Sequence, residues 1–184
     1  IDVRFAMCFP DVYEIGMSHL GLRVLYHTVN LADDLLLERV FAPMADMEER
    51  MRQHNIPLFS WESRHALKDF DVVGFTLQYE MSFSNVLNML DLAGIPLLAA
   101  ERDDTEPLVV AGGPCAFNPE PLADFIDVFM IGEGEEALPA LLRLWRKVRA
   151  DGGSKEAFLR QAAQCPGFYV PSLYEVTYRD DGNI

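Results

Sequence analysis

Short, continuous apolar runs recur along the chain, and segments with helical spacing lie between them. Five of these runs predict strands, at residues 3–9, 36–41, 71–77, 108–111 and 127–131. Because these strands are apolar almost throughout and do not alternate with polar residues, we expect the sheet to be buried on both faces. Parallel sheets are buried in this way, so the pattern favours a parallel sheet.

Helical patterns fill the intervals between these strands. After Ser18, which is a candidate N-cap, the apolar residues Leu20, Val24, Leu25 and Val29 share one helical face. Further helices are predicted at residues 44–54, at 82–92 before Gly94, and at 137–149. Alternating strands and helices predict a flavodoxin-like (Rossmann-like), doubly wound α/β domain with a five-stranded parallel sheet.

A change of composition at residues 151–154, which read Asp-Gly-Gly-Ser, predicts a linker. It divides the chain into an α/β domain at 1–150 and a small C-terminal appendage at 151–184, which holds a short helix at 155–164 and a strand at 174–178. Residues 180–183 form a tight-turn signal with no second strand after it. We therefore expect the chain to be a fragment of a longer protein.

Composition narrows the possible partners. The chain of 184 residues carries a net charge of −14, and half of its residues are hydrophobic. An acidic surface repels phosphate groups, which argues against a nucleic-acid partner and against an anionic membrane face. Since no apolar run approaches the roughly 20 residues that a membrane span needs, and no charged leader precedes the first strand, we expect a cytoplasmic protein.

The three cysteines, Cys8, Cys115 and Cys165, form no C-x-x-C pair, so the sequence predicts no zinc knuckle or local redox motif. They are interpreted as buried structural residues of a reducing compartment. The four histidines show no metal-ligand spacing, and His19 is a weak candidate for acid–base chemistry. Residues 132–136, Gly-Glu-Gly-Glu-Glu, lack the Lys that a phosphate-binding loop needs and are interpreted as a helix start.

Candidate binding residues follow three of the predicted strands. Asp11, Tyr13 and Gly16 come after the first strand in the pattern D-x-Y-x-x-G, and the other candidates end the third and fourth strands: Thr76, Gln78, Gly112 and Gly113. In an open parallel sheet, ligands bind outside the carboxyl ends of the strands, where the strand order reverses. The coincidence of these residues at strand ends therefore predicts a ligand pocket.

Each group also has a purely structural interpretation. The glycine pair fits a tight turn into a helix that begins near Asn118 and Pro119. Thr76 and Gln78 fit a role in satisfying loop amides, and Asp11 fits a capped turn after Pro10.

These motifs resemble those of the cobalamin-binding domain family, which has D-x-H-x-x-G, S-x-L and GG at the corresponding places. Longer phrases, FPDVYEIGMSHLGLRVLY, DVVGFTLQYEMSFSNVLNMLDLAGIP, VVAGGPCAFNPEPLADF, IGEGEEALP and CPGFYVPSLYEV, resemble the N-terminal region of a largely uncharacterised family of radical SAM proteins with a cobalamin-binding domain. The resemblance covers nearly the whole chain.

The resemblance implies that cobalamin binds over the strand ends. The family's Asp and Gly fall on Asp11 and Gly16, its Ser and Leu on Thr76 and Gln78, and its glycine pair on Gly112 and Gly113. Tyr13 stands where the family has a cobalt-ligating His. A phenol, with an ordinary pKa of about 10, is a poor ligand near pH 7, so cobalt would be capped by Tyr13 packing or by water, and no protein metal ligand is expected.

The same resemblance implies a catalytic partner. A radical SAM core holds its iron–sulfur cluster with C-x-x-x-C-x-x-C, which this sequence lacks, so S-adenosylmethionine and a 4Fe–4S cluster would belong to a catalytic domain in cis and this chain would not be catalytic alone. An alternative is the same fold without the cofactor, acting as a substrate-docking or protein-interaction module. Flavin binding is disfavoured because the loop after the first strand lacks a Ser/Thr-rich phosphate cradle.

Overall fold

The computed structural model describes residues 1–175 together with Thr177 and Arg179. Its described part contains one sheet of six strands. The strands are β1 (Val3–Phe9), β2 (Leu35–Phe41), β3 (Val72–Thr76), β4 (Leu108–Gly112), β5 (Val128–Met130) and β6 (Phe168–Tyr169).

The strand order is β2-β1-β3-β4-β5-β6, and the first five strands are parallel. The five predicted parallel strands are thus confirmed: the bounds of β1 are as predicted, and those of the other four differ by one residue at one or both ends. The predicted strand count was wrong, because β6 adds an antiparallel strand beside β5, with Phe129 opposite Tyr169. The order 2-1-3-4-5 of the parallel strands is compatible with a flavodoxin-like fold, and it reverses direction between β1 and β3.

Six α-helices connect the strands in the described part of the chain: α1 (Tyr13–Gly16), α2 (Leu20–Asn30), α3 (Ala45–Gln53), α4 (Phe83–Ala93), α5 (Gly134–Ala150) and α6 (Lys155–Ala162). Gly94 ends α4 in the left-handed conformation, as predicted. The N-cap of α2 is His19 and not Ser18, because the Ser18 hydroxyl donates to the carbonyl of Ile15 in the preceding turn. No α-helix begins near Asn118; one 3₁₀ turn, Pro114–Phe117, precedes it and another, Glu120–Leu122, follows it.

Helices cover both faces of the sheet. Alternate residues of β1 enter two separate cores: Ala6 and Cys8 join the core beneath α3 and α4, whereas Phe5 and Met7 join the core beneath α2, α5 and α6. Strands that are apolar throughout therefore contribute side chains to both cores, which is the doubly wound arrangement that the sequence predicts.

Residues after the predicted linker pack against the α/β framework. Phe158 of α6 is fully buried and meets Trp145 of α5 edge-to-face, with ring centroids 5.1 Å apart. Lys155 pairs with Asp127 just before β5 at 2.8 Å, which holds α6 beside the sheet. The predicted strand at 174–178 runs into residues outside those described, and the predicted turn at 180–183 lies entirely outside them.

No helix among the described residues is long and apolar enough to cross a membrane. The described residues also contain no group of three or more His, Cys, Asp or Glu side chains placed to share a metal ion.

Candidate functional site

A cavity opens at the carboxyl edge of the sheet, where the strand order reverses. It encloses about 250 Å³ between the ends of β1, β3 and β4 and the first turns of α2 and α5. Most of its walls are apolar side chains from these elements: Phe5, Met7, Leu25, Val110, Met130 and Leu138. The connections from β1 and β3 leave on opposite faces of the sheet, and this divergence is what opens the crevice.

The glycine pair at the end of β4 forms one side of this cavity. Gly113 has φ +102°, and a Cβ there would lie 2.9 Å from the carbonyl oxygen of Leu77. The N–H of Leu77 in turn donates to the carbonyl of Gly112 at 2.7 Å. A side chain at Gly113 would push these two loops apart, so glycine is needed for the close packing of the strand ends.

Three polar side chains form a hydrogen-bonded row at the cavity wall. The Nδ1 atom of His19 accepts from the N–H of Leu22 at 3.2 Å and caps α2, while Nε2 lies 3.1 Å from Oε1 of Gln78. The Gln78 amide donates to the Thr76 hydroxyl at 2.5 Å. Thr76, Gln78 and His19 all line the cavity. The row joins β3 to the start of α2 across a span of 59 residues.

Asp11 lies outside the cavity lining, at the loop that ends β1. Its carboxylate accepts from the Tyr79 hydroxyl at 2.7 Å and from the N–H of Val12 at 2.7 Å. The hydrogen bond to Asp11 raises the pKa of Tyr79, with burial as a smaller cause. Asp11 therefore ties the loop after β1 to the loop after β3.

Tyr13 and Gly16 also lie outside the cavity lining. The Tyr13 ring stacks on Trp61, with centroids 4.5 Å apart and planes 28° apart, and it meets Phe41 edge-on at 5.4 Å. A Cβ at Gly16 would overlap the Phe41 ring. The structure thus brings four of the seven predicted residues, Thr76, Gln78, Gly112 and Gly113, to one cavity, and it places the D-x-Y-x-x-G residues against neighbouring loops.

Sequence analysis missed part of the lining. Gly132, Gly134 and Glu135 line the cavity at the start of α5, although this segment was interpreted only as a helix start. That interpretation is confirmed, since α5 begins at Gly134. The one sequence signal for a further role was the pair of glycines, because Gly132 adopts φ +120° with open space beside it.

Four exposed apolar side chains lie on the connections that follow β1, β3 and β4. Ile15, Leu20, Met81 and Phe117 lie in or just after the connections that leave β1, β3 and β4, and they are 51, 71, 86 and 74% exposed. We call these four residues the carboxyl-edge apolar residues.

Comparison with known proteins gives one family and one relative. Residues 21–171 match the family model described as "Radical SAM proteins, N-terminal". An uncharacterised protein of Methanocaldococcus jannaschii is 29% identical over 132 residues, which are 71% of this chain and 24% of that protein. The chain thus spans about a quarter of the length of this curated relative. No solved structure matches the chain.

Proposed function

Since the chain belongs to the family of N-terminal regions of radical SAM proteins, we propose that it is an accessory cofactor-binding domain of a radical SAM enzyme and that its cofactor is cobalamin. Iron–sulfur and S-adenosylmethionine chemistry would belong to a catalytic region linked to this domain. The domain itself would bind and orient the cofactor.

The observation that carries this proposal is the cavity at the reversal of strand order. Ligand pockets are usually about 300–1,000 Å³, so 250 Å³ is too small for a whole cobalamin. It suits the flat heterocyclic end of the nucleotide tail. Thr76, Gln78, Gly112 and Gly113 would hold this end, and the apolar walls would exclude water from it.

Cobalamin, when bound, supplies a cobalt centre that carries a methyl group or takes part in radical chemistry. The chain offers no imidazole at the position where related domains have one, and the Tyr13 ring is already stacked on Trp61. We therefore propose that the chain holds the cofactor by its tail and leaves cobalt without a protein ligand.

Equilibrium dialysis of the full-length protein against hydroxocobalamin tests this function, with cobinamide, which lacks the nucleotide tail, as the matched ligand. We expect hydroxocobalamin to be retained and cobinamide to bind at least tenfold more weakly. Gly112→Leu would fill the cavity and abolish the difference. Gly112→Ala is the control, since its Cβ would lie 3.5 Å from Met130 in ordinary contact. Equal retention of the two ligands by the unaltered protein would refute the proposal.

A second candidate function rests on the exposure of the carboxyl-edge apolar residues. The same domain without cofactor would dock a substrate or the catalytic region through Ile15, Leu20, Met81 and Phe117, which are exposed in the described chain. Replacing Met81 and Phe117 with Ser would then weaken association of this domain with a separately expressed catalytic region, while Gly112→Leu would leave association unchanged.

A further inference from the structure

The hydrogen-bonded row at the cavity wall has a direction that the backbone imposes. The N–H of Leu22 can only donate, so Nδ1 of His19 must accept and carries no proton. The proton of a neutral imidazole then sits on Nε2, which therefore donates to Gln78. With its oxygen facing His19, the Gln78 amide must turn its NH₂ group to Thr76.

The row ends at the Thr76 hydroxyl. Its oxygen accepts from Gln78, which leaves its hydrogen free to donate. Within the part of the chain that the structure describes, no group accepts that hydrogen. Thr76 is only 8% exposed and lines the cavity, so the hydroxyl hydrogen can be satisfied only from the cavity.

We propose that His19 is a positioning residue that acts through Gln78 to aim the Thr76 hydroxyl as a donor into the cavity. The cavity therefore selects a flat ring that presents a hydrogen-bond acceptor, such as a pyridine-type nitrogen, at that point. This inference rests on the proposed function, in which the cavity takes a heterocyclic end of the ligand.

Selectivity follows from the contrast between one donor and apolar surroundings. The walls formed by Phe5, Met7, Val110 and Leu138 accept any flat ring of suitable size. A ring without an acceptor leaves the Thr76 hydroxyl buried and unpaired, and sites that hydrogen-bond their ligand reject analogues for this reason. The Thr76 hydroxyl therefore distinguishes one ring from another, and His19 sets the direction in which that hydroxyl donates.

Benzimidazole and indole provide a matched pair of probes, because they have nearly the same shape and only benzimidazole carries an acceptor nitrogen. Binding of each to the full-length protein is measured by chemical-shift titration or calorimetry. We expect benzimidazole to bind about fivefold or more tightly than indole, as one hydrogen bond in a buried site allows. Thr76→Val should abolish this preference, and Thr76→Ser should retain it.

Two further variants test the row itself. His19→Asn keeps a residue that caps α2 but releases the Gln78 amide, so the preference should fall without a change in melting temperature. Gln78→Glu places an acceptor beside Thr76, which turns the hydroxyl away from the cavity and presents its oxygen instead. The preference for benzimidazole should then disappear, because both rings carry an N–H that can donate to this oxygen. A purely structural role for Gln78 leaves the preference unchanged.

The outcomes separate the two proposals. Equal binding of benzimidazole and indole by the unaltered protein overturns the role of the His19 row and leaves the cavity as a ring-binding site. Binding of neither ring, with the protein folded, overturns the heterocycle site and with it the selectivity that depends on it. An unchanged preference in Gln78→Glu overturns the directional mechanism.

Discussion

The ring of Tyr13 stacks on the indole of Trp61, with their centroids 4.5 Å apart. Phe41 meets both rings edge-on, at 5.4 Å from Tyr13 and 6.2 Å from Trp61. Tyr13 therefore anchors the loop after β1 to the end of β2 and to the segment before β3. Packing against Trp61 and Phe41 explains the phenol at this position without any role in binding cobalt.

This aromatic contact predicts a measurable coupling. Tyr13→Ala and Trp61→Ala should each lower the free energy of unfolding, and their effects should be less than additive by about 0.5–1.5 kcal/mol, the range for an aromatic pair. Urea unfolding of the two single variants and the double variant gives this value. Strict additivity would mean that the two rings do not stabilise each other.

The adjacent glycines at the end of β4 should respond differently to the same substitution. Gly113→Ala should cost about 1–3 kcal/mol, because φ +102° is strained for a side chain and the new Cβ would approach Leu77. Gly112→Ala should change stability by less than about 1 kcal/mol, since its Cβ meets only ordinary contacts. Equal effects in thermal unfolding would contradict the backbone argument.

The parallel strands were predictable because each is a local apolar run that is buried on both faces, and the helix end at Gly94 was predictable because a glycine there accepts φ +69°. Strand β6 was not predictable. It has two residues, Phe168 and Tyr169, and its pairing depends on the edge that β5 offers. The predicted cap Ser18 was wrong because its hydroxyl donates to the carbonyl of Ile15, and His19 caps α2 instead.

The sequence predicted which strand ends form the site, but it did not predict the directions of the side chains. Thr76, Gln78 and the glycine pair meet at the cavity because parallel strands end at the same edge. His19 pairs with Gln78 across 59 residues, and no spacing in the sequence encodes such a contact. Tyr13 lies elsewhere because its partner, Trp61, comes from a segment that has no regular pattern.

A buried cluster of charges should hold the C-terminal helix in place. Asp127 contacts Lys155 at 2.8 Å and Arg102 at 3.3 Å, and the Arg102 side chain is fully buried. Asp127→Asn leaves two buried cations without their counter-charge and should cost about 3–5 kcal/mol. Asp91→Asn, which breaks an exposed pair with Arg52, should cost less than about 1 kcal/mol.

Hydrogen exchange distinguishes a specific effect of this cluster on α6 from a general loss of stability. In Asp127→Asn, amides of α6 should lose protection before those of β1, because Lys155 begins α6 whereas β1 is centrally paired. Uniform loss across both elements would show that the cluster does not act on α6 in particular.

Glu38 on β2 combines burial with a dense set of donors. Burial raises the pKa of its carboxyl group, but hydrogen bonds from Ser60 and Ser63 and the charge of Arg4 outweigh burial and lower the pKa below its ordinary value of 4.5. The hydroxyl of Ser63 donates to the carboxylate at 2.5 Å, and Arg4 lies 3.7 Å away. The fold therefore stabilises the charged form of Glu38.

Acid unfolding should show this preference as a loss of stability at low pH. Because the folded pKa lies below the unfolded value of about 4.5, the stabilisation is fully present above that pH and is lost as pH falls through the folded pKa. Glu38→Gln cannot gain or lose this proton, and every other carboxylate is shared by the two proteins. The difference in unfolding free energy between wild type and Glu38→Gln should therefore be constant from pH 6 to 7, which are about two units above the unfolded pKa, and shrink below pH 4.5. A difference that stays constant down to the acid-unfolding limit would mean that the Ser63 and Arg4 contacts do not favour the charged carboxylate.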